Sequence, residues 1–549
     1  MKGLKQLLVV MSLLISFYGS SQITTEDQSV DFEILKNLEL FELVYKNIDI
    51  HYVDQPDPGH LMKTAIEAML LELDPYTNYI PESLIEDYKL MTTGQYGGIG
   101  AIIGTVNGKV KIVDPHEGYP AQKAGLRAGD YFIELDGQKV DELKSDEISE
   151  KLKGKPGSQI KVKVDRDGEI LEKTLVREEV KLSPVPFYGM VDDKIGYIKF
   201  TSFTQVAAER VGVAFNALKK DGMEKLIFDL RGNGGGLLVE AVKIVNMFVP
   251  KGSPIVSIKG RHDADNRGYT ATMKPLDEEI PIVVLIDGGS ASASEIVSGA
   301  LQDLDRAVLV GTTSFGKGLV QRPLDLKYNA RVKVTIAKYY TPSGRCIQKL
   351  DYSNREAGND AEAISDSLIH TFKTTTGRKV IDGRGVEPDV TIDLSDYSRL
   401  TTTLVSKNLI FNYATKFRNE NAEIADARSF KLSDQQYEDF KTYVMGHNFE
   451  YNTQSYEKVE ELKKIALQEG LLTEGSEEFE RFMEQFKPSK ERDLDQYKKE
   501  IVELLEDEIV GRYYYGKGRI DHSLANDAYI LEAVEILNDL PRYKKILNR

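Results

Sequence analysis

The stretch IVVLIDGGSASASEI, residues 282–296, indicates how the central part of this chain folds. Its first five residues are all apolar, a pattern typical of an interior strand with both faces covered. A polar, glycine-containing turn follows, and the apolar positions after Glu295 continue at helical spacing. Ser292 therefore lies at a strand-to-helix turn, where the first N–H groups of a helix have no partner within the helix.

Apolar strands and helices alternate on both sides of this stretch. Strands are predicted at 195–200, 225–230, 282–286 and 307–310, and helices between them at 207–219 and 240–248. Such alternation predicts a layered α/β core over residues 181–395, in which helices cover a sheet. Residues 352–378 are polar and weakly patterned, so we expect an exposed excursion there.

The flanking regions have other periodicities. Residues 22–90 and 396–549 carry apolar residues at helical spacing, whereas residues 91–180 contain short strands, Asp-Gly turns and one helix. We therefore predict a multidomain α+β chain with a helical N-terminal region, a small β-rich domain, the α/β core and a helical C-terminal region. For the C-terminal region, a helical cap on the core is favoured over an arm that binds a partner.

The start of the chain has the order of a secretory signal peptide. Lys2 and Lys5 precede the apolar run 7–17, and the small residues 19–21 suit a signal peptidase. The run is well short of the ~20 apolar residues that a membrane-spanning helix needs. We therefore predict that residues 1–21 are removed and that the mature protein is exported, to the periplasm or to another site outside the cytoplasm.

The composition argues against several classes of protein. The net charge of −16 disfavours a nucleic-acid binder, which needs a basic surface to displace counterions from phosphates. The single cysteine, Cys346, excludes an intramolecular disulfide, and a small semi-buried side chain is favoured for it over a thiol nucleophile. The seven histidines show no metal-ligand spacing, so we predict no metal site.

The local sequence leaves two interpretations of Ser292 open. Ser292 is a nucleophile beside N–H groups that stabilise an oxyanion, or it forms a capping box with Glu295 that only satisfies helix-end donors. The stretch by itself favours the capping box. A nucleophilic serine also needs a base, and no histidine lies in a G-x-S-x-G elbow or a comparable turn. Lys317, between two glycines and apolar neighbours, would serve if burial lowered its pKa from ~10.4.

The segment around Lys317 also comes close to a phosphate-binding loop. GTTSFGKG, residues 311–318, fits the pattern G-x-x-x-x-G-K, but Gly318 stands where a serine or threonine hydroxyl would bind magnesium. A nucleotidase is therefore disfavoured, and no nucleotide cofactor is predicted.

Two of these motifs together resemble those of the carboxyl-terminal processing peptidases, also called tail-specific proteases. The motifs are SASASE at 290–295 and FGKGLVQ at 315–321, and Lys317 follows Ser292 by 25 residues, the spacing that the family shows. The resemblance implies that Ser292 is the nucleophile, Lys317 the general base and Gln321 the residue that orients the lysine.

The resemblance also implies an oxyanion hole. DLRGNGGG, residues 229–236, resembles the glycine-rich turn of the family, which forms this hole together with the N–H that follows the nucleophile. In this chain the implied donors are the N–H group of Ala293 and that of Gly235 or Gly236.

Residues 91–180 resemble the PDZ domain of the same family. Gly97, Gly98, Ile99 and Gly100 match its carboxylate-binding loop, and AGLRAGD at 124–130 matches its mid-domain motif. The resemblance implies that a substrate tail adds to this domain as an edge strand and that the loop captures the terminal carboxylate. The apolar side chains of Ile99 and Ile102 predict that apolar tails bind.

The function implied by the resemblance is an exported, ATP-independent serine endopeptidase that acts on protein substrates through their C-termini and needs no cofactor. Two alternatives remain: a PDZ scaffold on an inactive protease core, and a chaperone-like factor outside the cytoplasm. An adaptor protein and a homo-oligomer are both compatible with the sequence.

The four-residue separation of Lys317 and Gln321 leads to a structural expectation. On a strand their Cα atoms would lie ~13 Å apart, whereas on a helical turn the two side chains become neighbours. Leu319 and Val320 favour a strand by propensity. Because the implied mechanism needs Gln321 close to Lys317, we predict a turn or short helix over residues 317–321.

Overall fold

The computed structural model describes residues 25–106, 108–353, 361–393, 397–473 and 475–549, except for the side chains of residues 25–29 and 145. The predicted signal peptide, residues 1–21, lies outside these ranges, as does part of the predicted polar excursion. The chain divides into two units, Met1–Pro75 and Tyr76–Arg549.

The first unit contains the helices α1 (Thr25–His51) and α2 (Pro58–Leu71), as predicted for a helical N-terminal region. Asp57 caps α2, because its Oδ1 accepts the His60 N–H at 3.0 Å. Large apolar side chains on α1 are exposed, Leu35 to 67% for example, so this helix presents an apolar surface. Among the described residues, no helix combines the length and apolarity needed to cross a membrane.

The second unit begins with a short strand, a helix and a small β-rich part. These elements are β1 (Asn78–Ile80), α3 (Ile85–Thr93), β2 (Gln95–Gly98), β3 (Ala101–Val106), β4 (Lys109–Pro115), α4 (Pro120–Lys123), β5 (Tyr131–Leu135), β6 (Gln138–Lys139), α5 (Ser145–Leu152), β7 (Gln159–Arg166), β8 (Glu169–Val176) and β9 (Glu178–Lys181). Strands β3, β4, β5, β7 and β8 form one sheet in this order, with β3 at an edge, and β2 pairs with β9. Ile112, Leu135 and Ile160 are fully buried in the core of this part.

The α/β core follows. Its elements are β10 (Phe187–Met190), β11 (Ile195–Lys199), α6 (Ala207–Lys220), β12 (Lys225–Asp229), α7 (Leu238–Asn246), β13 (Pro254–Gly260), β14 (Arg267–Thr270), β15 (Ile282–Ile286), α8 (Ala293–Asp303), β16 (Val308–Gly311), β17 (Leu319–Asp325), β18 (Arg331–Tyr340), β19 (Leu350–Asp351), β20 (Glu362–Ala363), β21 (Thr371–Lys373), β22 (Lys379–Ile381) and β23 (Val390–Thr391). Residues 361–373 are mostly exposed, as expected for the polar excursion.

The C-terminal region is helical, as predicted. Its helices are α9 (Arg399–Ser406), α10 (Leu409–Glu420), α11 (Asp434–Met445), α12 (Gln454–Gln468), α13 (Glu477–Glu484), α14 (Lys490–Gln496), α15 (Lys498–Ser523), α16 (Ala528–Asn538) and α17 (Leu540–Ile546). Helices α9, α10, α11, α14 and α15 share a buried cluster, in which Leu404, Phe440 and Ile509 are fully enclosed.

The main sheet of the core has the strand order β10-β11-β12-β15-β16-β23 and is parallel except at β10. All five residues of β15 are buried, which confirms the predicted interior strand. Val284 and Ile286 join the core formed with α6, α7 and α8. Val283 and Leu285 point to the opposite face, which α16 covers with Ile530 and neighbouring residues. The C-terminal region therefore caps one face of this sheet.

A second sheet contains the two strands that follow Lys317, β17 and β18. Its order is β1-β18-β13-β14, and β17 also pairs with the long strand β18. The segment that contains Lys317 therefore leads directly into a paired strand.

Candidate active site

Ser292 occupies the turn between β15 and α8, which begins at Ala293. Asp287 shapes this turn, because its Oδ1 accepts the N–H groups of Gly289 and Gly232, each at 2.9 Å. The backbone of Ser292 has φ 56° and ψ −111°, a conformation that residues other than glycine rarely adopt. Strained conformations of this kind need enforcement by their surroundings and cluster at active sites.

The three serines of the motif differ in what their hydroxyls do. Ser290 and Ser294 are fully buried. The Ser290 hydroxyl donates to the Leu230 carbonyl oxygen at 2.9 Å, and the Ser294 hydroxyl donates to the Asn233 carbonyl oxygen at 2.8 Å. Ser292 is partly exposed. Two hydroxyls therefore hold the turn together, and the hydroxyl of Ser292 is the one that a substrate can reach.

The glycine-rich loop 232–236 packs directly against Ser292. Gly235 has φ 96°, and a Cβ atom added to it would lie 2.9 Å from the Cβ of Ser292 and 2.9 Å from the nitrogen of Ala293. Contacts that short are not tolerated, so this approach requires glycine. The structure therefore brings the predicted oxyanion loop beside the predicted nucleophile.

The backbone N–H groups near Ser292 are not equally available. The Gly235 N–H donates to Oδ1 of Asn233 at 2.9 Å, within the loop itself. Among the described residues, the N–H groups of Ala293, Gly234 and Gly236 have no acceptor. Of the two predicted loop donors, Gly236 is therefore the better suited to an oxyanion.

Glu295 connects the turn of Ser292 with the segment of Lys317. Its buried carboxylate accepts two N–H groups through Oε2, that of Ser292 at 2.7 Å and that of Lys317 at 2.9 Å. Through Oε1 it accepts the Gly316 N–H at 2.7 Å and the Ser314 hydroxyl at 2.6 Å. One carboxylate thus holds the backbones of both predicted catalytic residues.

The sequence predicted only the helix-capping part of this arrangement. The hydrogen bond from the Ser292 N–H to Glu295 is the expected contact of a capping box. The hydrogen bonds from residues 314–317 to the same carboxylate were not predicted. Burial raises the pKa of Glu295, while the hydrogen bonds that it accepts act in the opposite direction. The available signal was an acidic residue in the first turn of a helix that follows a buried strand, because a buried carboxylate needs several donors.

Lys317 is half-buried between two buried glycines. Its Nζ lies 4.3 Å from the centroid of the Tyr76 ring, within the range of a cation–π contact. Tyr76 precedes β1, which pairs with β18 of the same sheet. The expected apolar surroundings of the lysine thus include an aromatic ring from a segment about 240 residues earlier, which no local pattern revealed.

Comparison with known proteins assigns these features to a family. Residues 194–353 match the peptidase family S41, residues 97–175 match the PDZ domain, and residues 400–537 match a family described as "Probable PDZ-protease, C-terminal helical domain". A carboxy-terminal-processing protease of Bartonella bacilliformis is 37% identical over 335 residues, which are 60% of this chain and 76% of that protein. The chain belongs to the carboxy-terminal-processing protease family. It is a PDZ-containing serine protease.

Other relatives in this family are similar over a comparable length. A "Probable CtpA-like serine protease" of Staphylococcus aureus strain COL is 30% identical over 365 residues, which are 66% of each chain. The solved structure of a photosystem II D1 C-terminal processing protease is 29% identical and covers 64% of this chain and 92% of that one, with a TM-score of 0.36.

The predicted turn or short helix over residues 317–321 of this protease is wrong. Gln321 lies in strand β17 opposite Thr335 of β18, and its Nε2 donates to the Thr335 hydroxyl at 3.2 Å. The strand propensity of Leu319 and Val320 prevails because β18 offers a full antiparallel partner. The register shifts between Val320 and Gln321, as it does at a β-bulge, so the backbone is irregular there.

The predicted tail-binding loop of the PDZ domain lies next to an edge strand. Gly97 and Gly98 end β2, and β3, which begins at Ala101, pairs with β4 alone among the strands that the structure describes. A Cβ atom on Gly97 would lie 2.1 Å from a backbone carbonyl oxygen, and Gly100 has φ 70°, so packing and backbone geometry both require glycine. The loop is thus placed where an added strand would end.

The two isoleucines predicted to select apolar tails differ in exposure. Ile99 is buried in the core of the PDZ domain, which contradicts its predicted contact with a tail through the side chain. Ile102 on β3 is 49% exposed and remains available.

Proposed function

We propose that this protease is exported, recognises the C-terminal tails of protein substrates through its PDZ domain, and cleaves them with Ser292 as nucleophile and Lys317 as general base. The observation that carries the proposal is the carboxylate of Glu295, which accepts the backbone N–H groups of both residues through one oxygen atom. A buried, multiply bonded carboxylate is a rigid link, so the two segments are held in a common position.

The geometry around Ser292 supports acyl transfer. In the proposed reaction, neutral Lys317 takes the proton of the Ser292 hydroxyl as Oγ forms a bond to the scissile carbonyl carbon. The N–H groups of Ala293 and Gly236 then stabilise the oxyanion. Collapse of the intermediate expels the amine, which receives the proton from Lys317, and water releases the acyl group in a second cycle.

Gln321 has a more peripheral part in this proposal. Its amide is oriented by the hydroxyl of Thr335, which is itself held because the Thr335 N–H donates to the Thr77 hydroxyl at 3.1 Å. We propose that the essential chemistry belongs to a Ser–Lys dyad, because the extended strand that holds Gln321 gives no support for its predicted role in orienting Lys317.

Tail recognition is proposed to use the backbone of residues 97–100 and the edge of β3. An extended peptide paired with β3 would place its terminal carboxylate at the loop, and Ile102 would contact an apolar side chain of the tail. Export rests on the signal-peptide pattern of residues 1–21, which agrees with action on proteins outside the cytoplasm.

The nucleophile is tested with serine variants of the protein lacking residues 1–21. Cleavage of an unfolded substrate with a free apolar C-terminus is followed by mass spectrometry. We expect Ser292→Ala to lose turnover and to keep its unfolding midpoint. Ser294→Ala is the matched control: it removes a buried hydrogen bond, worth about 1 kcal/mol, and should keep measurable turnover. An active Ser292→Ala variant would refute the assignment.

Tail recognition is tested separately with the same substrate in two forms, one with a free C-terminal carboxylate and one amidated. We expect the amidated form to be cut more slowly, because the loop loses a charged acceptor for its N–H groups. A short peptide without a tail serves as the control for the chemical step. Equal rates for the two tailed forms would exclude carboxylate capture while leaving the Ser–Lys chemistry intact.

A further inference from the structure

Arg231 begins the glycine-rich loop beside Ser292. Its guanidinium donates to Asp229, with Nη2 at 2.7 Å from Oδ2 and Nε at 3.1 Å from Oδ1. Asp229 is fully buried and also accepts the Tyr197 hydroxyl at 2.7 Å, while Lys199 Nζ lies 3.2 Å from it. One side of the arginine is therefore fixed in the core of the protease.

The other side of Arg231 is held by the C-terminal helical region. Nη1 donates to both carboxylate oxygens of Asp527, at 3.0 and 2.8 Å, and the guanidinium lies over the Tyr529 ring, 4.6 Å from its centroid. Arg231 is 15% exposed and Asp527 is 22% exposed, so this ion pair is largely shielded from water. About 300 residues separate the two partners in sequence.

Asp527 has a second task at the same place. Its Oδ1 accepts the N–H groups of Tyr529 at 2.9 Å and Ile530 at 3.1 Å, which caps the beginning of α16. The carboxylate thus joins a helix that covers the main sheet to the first residue of the loop. The aspartate that caps α16 therefore also contacts, through Arg231, the loop beside Ser292.

The loop depends on anchors at its ends because it is mostly glycine. Glycine leaves the backbone free to adopt many conformations, so residues 232–236 are kept in place by contacts rather than by their own preference. Arg231 supplies such contacts through its side chain and through its carbonyl oxygen, which accepts Lys199 Nζ at 2.9 Å. The adjacent Gly232 N–H donates to Asp287 in the turn of Ser292.

We infer that Asp527 is a positioning residue for the oxyanion hole: it acts through Arg231 on the loop that carries the Gly236 N–H. The inference rests on the proposed function of that loop. The C-terminal helical region then does more than cover the sheet, since it contributes a side chain to the order of the catalytic centre. Oxyanion donors are effective only within about 2.7–3.1 Å of the developing charge, so a small shift of the loop suffices to slow the reaction.

The test uses Asp527→Ser, because serine caps helices about as well as aspartate but cannot reach Arg231 with a charge. With a short peptide substrate, we expect kcat to fall about 10-fold, less than the ~10²–10³-fold loss of a whole oxyanion donor, and KM to change less than about 2-fold. Asp527→Asn, which keeps the cap and one acceptor oxygen, should rescue part of kcat.

A matched control separates this effect from loss of helix docking. Asn538 lies at the other end of α16, and its Oδ1 accepts Lys225 Nζ at 2.8 Å. Asn538→Ala removes a contact between the same helix and the core without touching the loop, and we expect its kcat to equal that of the unmodified protein. An equal fall of kcat in both variants would overturn the inference, since docking alone would then explain it.

A second readout reports on the oxyanion hole directly. A peptide boronate forms a tetrahedral adduct with a nucleophilic serine, so its affinity should fall in Asp527→Ser together with kcat, while binding of a free tail peptide to the PDZ domain should stay constant. Unchanged kcat and boronate affinity in Asp527→Ser would overturn the inference. An inactive unmodified protein, or an active Ser292→Ala variant, would instead refute the proposed function on which the inference depends.

Discussion

Ser292 and Lys317 share the Glu295 carboxylate as a backbone acceptor, but their other supports differ. Ser292 lies between β15, whose residues are all buried, and α8, whose residues are also all buried, so two core elements determine its place. Lys317 lies among residues 313–318, which form neither helix nor strand. Its place depends on the Glu295 carboxylate, on the Tyr76 ring and on the packing of the flanking glycines.

This difference shows how one active site can combine a rigid and an adjustable half. The proposed nucleophile lies between elements with many apolar contacts, each of which contributes little, so single changes in the core should lower stability before they move Ser292. The proposed base is supported by few polar and aromatic contacts, so a single change there should lower turnover. The predictions below test this contrast, from the largest expected effect to the smallest.

Lys317→Arg should abolish turnover as completely as Lys317→Ala, by about 10³-fold or more in kcat. Arginine keeps the positive charge but does not release its proton in proteins, so it cannot act as a base. Peptide hydrolysis assays check kcat, and thermal unfolding checks that both variants remain folded. If the arginine variant kept its turnover, Lys317 would act as a cation and not as a base.

Glu295→Gln should lower kcat by about 10²-fold and destabilise the protein by about 1–3 kcal/mol, because an amide NH2 would face the N–H donors that now meet a carboxylate. Urea unfolding and kcat measure the two effects. Glu240→Gln is the matched control, since Glu240 is also buried but accepts the Ala208 N–H of α6 at 2.9 Å and not that of Ser292 or Lys317. Equal losses of kcat in both variants would contradict the specific role of Glu295.

Tyr76→Leu should lower kcat roughly 3-fold, because the ring that lies against the Lys317 amine is lost and a misplaced catalytic group slows the reaction. Tyr76→Phe keeps the ring and should be closer to the unmodified protein than Tyr76→Leu. Steady-state kinetics on a short peptide measure both variants. A phenylalanine variant as slow as the leucine variant would show that the hydroxyl of Tyr76 matters and that the ring face does not.

The smallest effect on turnover concerns Asp229, whose contribution is to stability and changes only at acid pH. Burial favours a higher pKa for Asp229, but Arg231 and Lys199 outweigh burial and lower the pKa from 3.8 to about 2. Because the folded-state pKa lies below the unfolded value, the ionised carboxylate contributes about 2 kcal/mol of stability above pH ~4, and this contribution is lost as the pH falls toward ~2.

Urea unfolding between pH 5 and pH 2 measures this contribution against Asp229→Asn. The asparagine variant should be less stable at pH 5 and should lose less additional stability on acidification than the unmodified protein. Parallel stability curves for the two proteins would show that Asp229 does not titrate in this window.

The sequence by itself determined the order of the domains, the interior strand 282–286 and the strand-to-helix turn of Ser292. These features depend on local periodicity and on short motifs, which a single stretch of chain contains in full. The resemblance of short motifs to a known family also predicted Lys317 as the base and the glycine-rich loop as part of an oxyanion hole. Short motifs are enough to predict these features, because the side chains of a motif lie close to one another along the chain.

The tertiary structure alone decided the features that depend on distant partners. Residues 319–325 became a strand because β18 pairs with them, although the implied chemistry favoured a turn. Glu295 became a link between two segments, and Tyr76 and Asp527 reached the site from far away in sequence. Hydrogen-bond pairing and burial are satisfied across the whole fold, so the partner that a side chain meets is not contained in its neighbours along the chain.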